Sequence, residues 1–586
     1  VNNSVNDVAM TVLPNAPIDA DTGLPVPTIA VATNGGISII KDTGTVVDIT
    51  TGSGGYTSMN RVSISPDGWV AWSQNDTRSS KAAPIPEQDK AYGFWTYNEG
   101  AYNFYESHAF ASNLGNVPAL VSSAGGLTDH IFGKVVAGTD GLTLLGLQKS
   151  EPAGVYGDAD MPLISYITSD YNTGWMQGDI KLATLSDTDT TNVTGSELVT
   201  NGTFASNITG WTLREGNGTF SASSGVATLT YVSNATSWVT GLSGLTIGKT
   251  YTLSFDLVSA STASVQFYYN HGSGDLGVSM SGSTAGTYSA TFIAAATTAN
   301  IFPRIYASGN MVIDNVSVRL AEADRSWNNK GLQVFGTVTK TAVATGAELV
   351  GYSGWSSANY LEQPIGDVIG SGDFFMMWWQ KNTSSGTTAT PVEISLKDQD
   401  TTNIPSILSY NYGGYVRFYT RSTAGDWVFV GSSVAIDQDV WEQYAFVRSN
   451  NVKYLYRNGD LVGTQAYSGT VTTSSSIIRV GKRSDGAGSP FIGSIALVRV
   501  SATAPTNEQV AKMYNDEKHL FATNAKATLY GTSNNPLAIA YDDDTELLHA
   551  GTSAGRSVFQ GLNRVDNTTD AVSAAISASN GFIVEE

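Results

Sequence analysis

The chain has 586 residues, with 51 Asp and Glu against 31 Lys and Arg, a net charge of −20 and no cysteine. That balance excludes a phosphate-neutralising surface, so no nucleic-acid partner is expected, and the missing thiols exclude a disulfide framework. No run of 18 apolar residues is present to cross a membrane, and VNNSVNDVAM does not read as a signal peptide. With 61 Gly and only 14% charged residues, the composition reads as an all-β protein of several domains.

Residues 1–28 carry Pro14, Pro17, Pro25 and Pro27 and read as an extended N-terminal arm. From Ile29 a loose hairpin unit recurs: IAVATNGGISII (29–40), RVSISPDGWVAW (61–72), GKVVAGTDGLTLL (133–145) and LAIAYDDDTELLHAG (537–551). Each is an apolar strand, a Gly or Asp turn and a second apolar strand, which is how β-propeller blades read. Residues 29–190 and 523–586 are therefore expected to form one split β-propeller-like domain carrying two inserted sandwiches; two unrelated small β domains are the alternative. On the split reading, a chain lacking 195–521 should remain folded.

The first insert, 195–321, opens NGTFASNITGWT, continues through strands YTLSFDLVSA and SVQFYYN, and closes MVIDNVSVRL. It resembles the family 4/9-type carbohydrate-binding modules at both ends. The resemblance implies a jelly roll and a structural Ca²⁺ held near the opening element and the terminal strand. The corresponding candidates here are Glu197 and Asp314, and a turn-capping carboxylate is the plainer reading of Asp314.

The second insert, 326–521, runs from NNKGLQVFG through GDFFMMWWQK, WEQYAFVR, KYLYRNGDLVG, IIRVGKR and FIGSIALVRVS to PTNEQVAKMYNDE. Asn458-Gly459 predicts a two-residue type I′ hairpin turn. Thr506 and Gln509 predict a capping box opening a helix with Val510, Met513 and Tyr514 on one stripe. Trp378 and Trp379, adjacent on a strand, should point to opposite faces, while Trp441 and Tyr444 should be core. The order of pieces resembles laminin G-like, concanavalin A-type jelly rolls, which are recognition modules more often than enzymes. Sugar binding needs exposed aromatic faces and hydroxyl partners. Trp175, Trp211, Trp238, Tyr268, Tyr269, Trp355, Tyr410, Tyr412, Tyr415 and Trp427 are available, though most aromatics in a sandwich are core. The cluster Tyr410, Asn411, Tyr412 and Tyr415 at the Gly413-Gly414 turn, with Arg417, is the candidate ligand site.

Catalytic machinery is not expected. The five His fall in separate segments, and no nucleophile elbow or metal-ligand His pair occurs. Asp542, Asp543 and Asp544 read as a solvated turn or a Ca²⁺ site, since neighbouring carboxylates on a turn splay apart. SYITSDYNTGWMQGDIKLATLSDT (165–188) and AYDDDTELLHAGTSAGRSVFQGL (540–562) resemble segments of tailed-bacteriophage virion proteins. That resemblance implies a structural tail protein, made in the host cytoplasm and located on the virion. It would be homo-oligomeric, contact other virion proteins and bind host-surface glycans. The alternative is a glycosidase with a propeller catalytic domain and appended binding modules; a third reading is decoration without a ligand. Stacking on an aromatic face is a desolvation and dispersion effect, and attraction by charge is not expected at −20, so any sugar binding should be weak, salt-insensitive and lost on Tyr412→Ala or Tyr415→Ala without loss of folding.

Overall fold

The computed structural model describes residues 4–51, 58–64, 68–74, 80–92, 102–103, 127–131, 135–138, 141–146, 163–177, 180–184, 193–194 and 196–585, the last apart from 234, 248, 262–264, 271–275, 283, 322–332, 337, 367–371, 385–388, 397–403, 422–426, 470, 472–475, 485–488 and 573–574. Among these residues the protein is a set of β-sheets with one α-helix, Asn507–Glu517. No helix among them is long and apolar enough to cross a membrane.

The first residues are not a free arm. Val5–Thr11 is the edge strand of a five-stranded sheet, antiparallel to Thr28–Thr33. The prolines follow that strand, and Asp7 accepts the Val62 N–H at 2.8 Å. A four-stranded sheet, beginning with Met59–Ile64 and Trp69–Gln74, stacks on the first. Ala32, Ile39 and Ile49 meet Val62, Val70 and Trp72 in one core between the two.

A third small sheet spans Leu127–Ile131 to Met176–Gln177, and a fourth spans Pro536–Asp542 to Asn563–Asn567. Though far apart in sequence, they interlock. Asn172 Nδ2 donates to the carbonyls of Ala527 (3.1 Å) and Leu562 (3.0 Å), and Leu529 N–H donates to Thr168 O (2.8 Å).

No propeller is detected among the described residues, and the packing supplies the reason. The first two sheets close on each other. The apolar faces of the other two, with Leu144, Tyr166, Ile539 and Phe559, share a core with Phe375, Met377, Trp379, Val510 and Met513 of the second sandwich. Removing 195–521 would strip 14 of the 34 buried residues of that core, so the excised chain is expected to be molten rather than folded, contrary to the split-propeller expectation.

Residues 197–321 form a separate two-sheet sandwich. A six-stranded sheet centred on Asn310–Ala321 faces a five-stranded sheet centred on Thr298–Ile305. Among the described residues, its core of Phe204, Trp211, Phe220, Leu253, Phe255, Phe267 and Ile313 includes none from outside the segment. The chain enters through Val193–Thr194 and leaves through Asn310–Ala321, with Val193 paired to Ala321. Its ends are thus side by side. Replacing 196–321 by a short linker should leave the thermal transition of the remainder in place; loss of that transition would show that this sandwich supports the rest.

The second sandwich sets an inner sheet of seven strands, from Gln333–Phe335 to Trp427–Ala435, against an outer sheet of eight. Ile180–Thr184, from the N-terminal part of the chain, joins the outer sheet by pairing with Gly493–Ser501. Phe374, Met376, Trp378, Phe418, Tyr444 and Phe446 fill the space between the sheets. Asn458 (φ 52°) and Gly459 (φ 84°) make the left-handed turn between Val452–Arg457 and Asp460–Ala466.

Candidate functional site

The inner sheet turns one face to the core and one outward. Strand Ile404–Tyr412 returns as Tyr415–Arg421 through Gly413 (φ 60°) and Gly414 (φ 83°), a turn closed by the pair Tyr412 and Tyr415. Two successive left-handed residues match the strand twist, which is why the two glycines stand there. Side chains then alternate. Ile407, Ser409 and Asn411 are buried on one side, as are Val416, Phe418 and Thr420. Tyr410, Tyr412, Tyr415, Arg417 and Tyr419 take the other.

Asn411 is therefore not a surface hydroxyl partner. It is 3% exposed, its Nδ2 donates to Asn382 Oδ1 at 3.0 Å, and its backbone bridges Ala389 in both directions. The period of two that exposes Tyr412 turns Asn411 inward.

Around Arg417 the outer face is an aromatic array. The guanidinium carbon lies 4.5 Å from the Tyr412 ring centre and 4.9 Å from that of Phe429, and Nη1 donates to the Tyr419 hydroxyl at 3.2 Å. Gly431, paired directly opposite, has no side chain; a Cβ there would reach the Phe429 ring at 3.6 Å and Arg417 Cγ at 4.0 Å. Tyr410 stacks beside Tyr412 (6.2 Å) and meets Tyr419 edge-on (5.8 Å). Tyr419 continues to Phe429 at 5.1 Å and Trp427 at 6.0 Å. Tyr412, Tyr415, Trp427 and Phe429 remain 40–47% exposed, although large aromatics on a sheet normally seek burial.

The sequence reading missed Tyr419 and Phe429. The signal was present in the alternation of YVRFYTR and WVFVG, whose odd positions share Arg417's face. Of the other aromatics considered, Trp175, Trp211, Tyr269 and Trp355 are core.

Farther along the sheet Phe335 stacks on Tyr360 at 4.5 Å, and the Arg479 guanidinium lies 4.3 Å from the Tyr360 ring. Arg479 is bound to Glu362 in a buried ion pair. Burial raises the Tyr360 hydroxyl above the usual phenol range, so it acts there as a neutral group.

The carboxylates singled out for metal binding are occupied otherwise. Glu197 Oε1 accepts the N–H groups of Val199 (2.8 Å) and Val318 (2.9 Å), and Oε2 accepts the Ser317 hydroxyl (2.6 Å). It latches the opening of the first sandwich to its last strand. Asp314 accepts the Asn315 N–H at 2.7 Å, at a point where Asn315 turns left-handed (φ 48°). Both carboxylates thus have a structural role that needs no ion.

Of the three adjacent carboxylates, Asp543 and Asp544 are exposed on the turn and Asp542 is buried. Asp542 accepts the N–H groups of Asp544 (3.0 Å), Asn580 (3.2 Å) and Gly581 (2.7 Å), and hydrogen bonds from Gly581 first, then Thr545 and Asp544, hold its carboxyl below the usual range. No group of three or more His, Asp or Glu placed to hold a metal occurs among the described residues.

Residues 356–511 match the family model described as the concanavalin A-like lectin/glucanases superfamily, laminin G type; that segment is a concanavalin A-like domain. Similar solved structures include a heptameric SAP-like pentraxin from Limulus polyphemus. It is 15% identical, with 26% of this chain and 75% of that chain covered, at a TM-score of 0.23. Domain 4 of a GH43 extracellular arabinanase from Geobacillus stearothermophilus, in complex with arabinotriose, is 20% identical, with 32% and 83% covered, at 0.25. The CBM40 of a Ruminococcus gnavus IT-sialidase, bound to α2,3-sialyllactose, is 17% identical, with 26% and 96% covered, at 0.22. TM-scores this low carry no functional argument. No curated protein matches the chain.

Proposed function

We propose that this chain is a non-catalytic glycan-binding protein whose concanavalin A-like domain holds sugar on the outer face of its inner sheet. The observation that carries the reading is the group Tyr412, Tyr415, Trp427 and Phe429, four large aromatics left exposed on one sheet, two of which, Tyr412 and Phe429, flank Arg417. A pyranose has an apolar face that stacks on such rings, while its hydroxyls take hydrogen bonds from polar groups at the edge. The family match of 356–511 supports the same class of role.

Full-length protein on a glycan array should show weak binding to individual sugars. Tyr412→Ala should reduce it at least about tenfold, the loss of one well-placed stacking contact, without changing the thermal midpoint. Unchanged binding by both Tyr412→Ala and Tyr415→Ala would sink this site.

The resemblance of 165–188 and 540–562 to phage virion proteins supports a place on a virion tail, in several copies and in contact with other virion proteins. There many weak sites would act together through effective concentration. Host capsule incubated with the protein should release no reducing ends. Release abolished by changing a single Asp or Glu would replace this reading by the glycosidase one.

A further inference from the structure

We propose that this face selects anionic sugars, carboxylated or sulfated, and that Arg417 is the residue that reads the charge; the inference rests on the glycan-binding reading above. Four other arginines show what this chain ordinarily does with a guanidinium. Arg457 is bound to Glu442, Arg479 to Glu362, Arg499 to Glu517 and Arg564 to Glu348. Arg417 has no carboxylate partner among the described residues. Its contacts are the Tyr412 and Phe429 rings and the Tyr419 hydroxyl. An arginine held on the surface by aromatic rings and a hydroxyl, with no carboxylate to neutralise it, is placed to take an anionic ligand.

The geometry suits an anion. A guanidinium has five N–H donors in a rigid fork, and Arg417 donates through one to Tyr419. The two rings hold the plane in place by cation–π attraction, so little side-chain freedom remains to be lost when a second partner arrives. A carboxylate or sulfate takes two parallel N–H bonds from such a fork, which a neutral hydroxyl cannot do. A sugar stacked on the exposed parts of Tyr412 and Phe429 would bring a ring substituent beside that fork. Arg421 and Arg483 flank the next aromatic along, at 5.8 and 6.0 Å from the Trp427 ring centre.

The net charge of −20 does not oppose this. At physiological salt, charges farther away than about 8 Å are largely screened, so the cation beside the ligand outweighs acidic residues elsewhere. Binding should therefore weaken with salt for anionic sugars and not for neutral ones, the reverse of what total charge suggests.

The test is an array carrying neutral, carboxylated and sulfated sugars, probed with full-length protein at low and high salt. Oligogalacturonate, its methyl ester and a sulfated galactose oligomer are then titrated against wild type, Arg417→Gln and Arg417→Lys. Thermal midpoints equal to wild type establish that the variants are folded. Expected is a preference of about tenfold for one anionic sugar over the neutral ester, lost in Arg417→Gln and reduced in Arg417→Lys, the ratio of acid to ester within each protein being the readout. Whether oligogalacturonate or the sulfated oligomer wins identifies the anion. Equal binding of acid and ester, or a preference that survives Arg417→Gln, overturns the inference and leaves the glycan reading standing. No binding to any sugar on the array overturns both.

Discussion

Glu517→Ala should lower stability by about 3–5 kcal/mol, the usual result of orphaning one member of a buried ion pair. Glu517 and Arg499 are both 0% exposed and face each other as a forked pair. The carboxylate also accepts the Trp175 N–H (2.9 Å) and the indole N–H of Trp379 (2.7 Å), and Arg499 donates to Trp175 O (2.5 Å). Three parts of the chain meet there: the loop before Met176–Gln177, the outer sheet of the second sandwich, and the end of its helix. A carboxylate at a helix C-terminus opposes the helix dipole, and no basic residue stands in that last turn. Glu517 is therefore held in place by Arg499 and the two tryptophans, not by the helix. Urea unfolding followed by tryptophan fluorescence should show the drop, and the double change Glu517→Leu with Arg499→Met should be milder than either single change. A single-variant loss below about 1 kcal/mol would show that the pair is not the link between these parts.

Lys453→Met should stabilise the second sandwich at neutral pH. Lys453 is 0% exposed; its Nζ donates to Thr420 Oγ1 (3.1 Å) and Val428 O (2.8 Å), with the Tyr467 ring centre at 4.8 Å. Burial pushes its ammonium group down to about 7, from 10.5 in a free chain. Between those values the unfolded chain binds a proton that the folded chain does not. Stability must then rise as pH climbs from 7 towards 10.5 and lie lowest below 7. At about 1.4 kcal/mol per pH unit the full penalty is about 5 kcal/mol. Thermal midpoints taken between pH 6 and 9 should rise for the wild type from 7 upward, while those of Lys453→Met should start higher and lack that rise. Parallel profiles for the two proteins would show that Lys453 stays charged in the fold.

What could be read from the sequence divides by the range of the interaction. The Asn458-Gly459 turn and the Thr506–Gln509 capping box are set by neighbours, and both stand where the residues put them; Gln509 N–H meets Thr506 Oγ1 at 3.2 Å and Thr506 N–H meets Gln509 Oε1 at 2.8 Å. Trp378 and Trp379 do point to opposite faces, yet both are buried, because a second core covers the outer sheet. The uninterrupted run FFMMWW marked a strand covered on both sides, where a half-exposed strand would alternate. The candidate site was legible at its turn and illegible across its strands. Tyr412, Tyr415 and Arg417 follow from one hairpin, whereas Phe429 joins them only through the pairing of Tyr415–Arg421 with Trp427–Ala435. The hairpin texture of the small sheets was visible, but which sheets stack on which depends on contacts hundreds of residues apart.

The pairing of Val193 with Ala321 also bears on descent. A segment that begins and ends on adjacent strands, with a core of its own, can be exchanged between genes by a single recombination event that leaves the other cores intact. The first sandwich can therefore change without disturbing the shared core, while the second, welded into the small sheets through Glu517 and Trp379, must change in step with them.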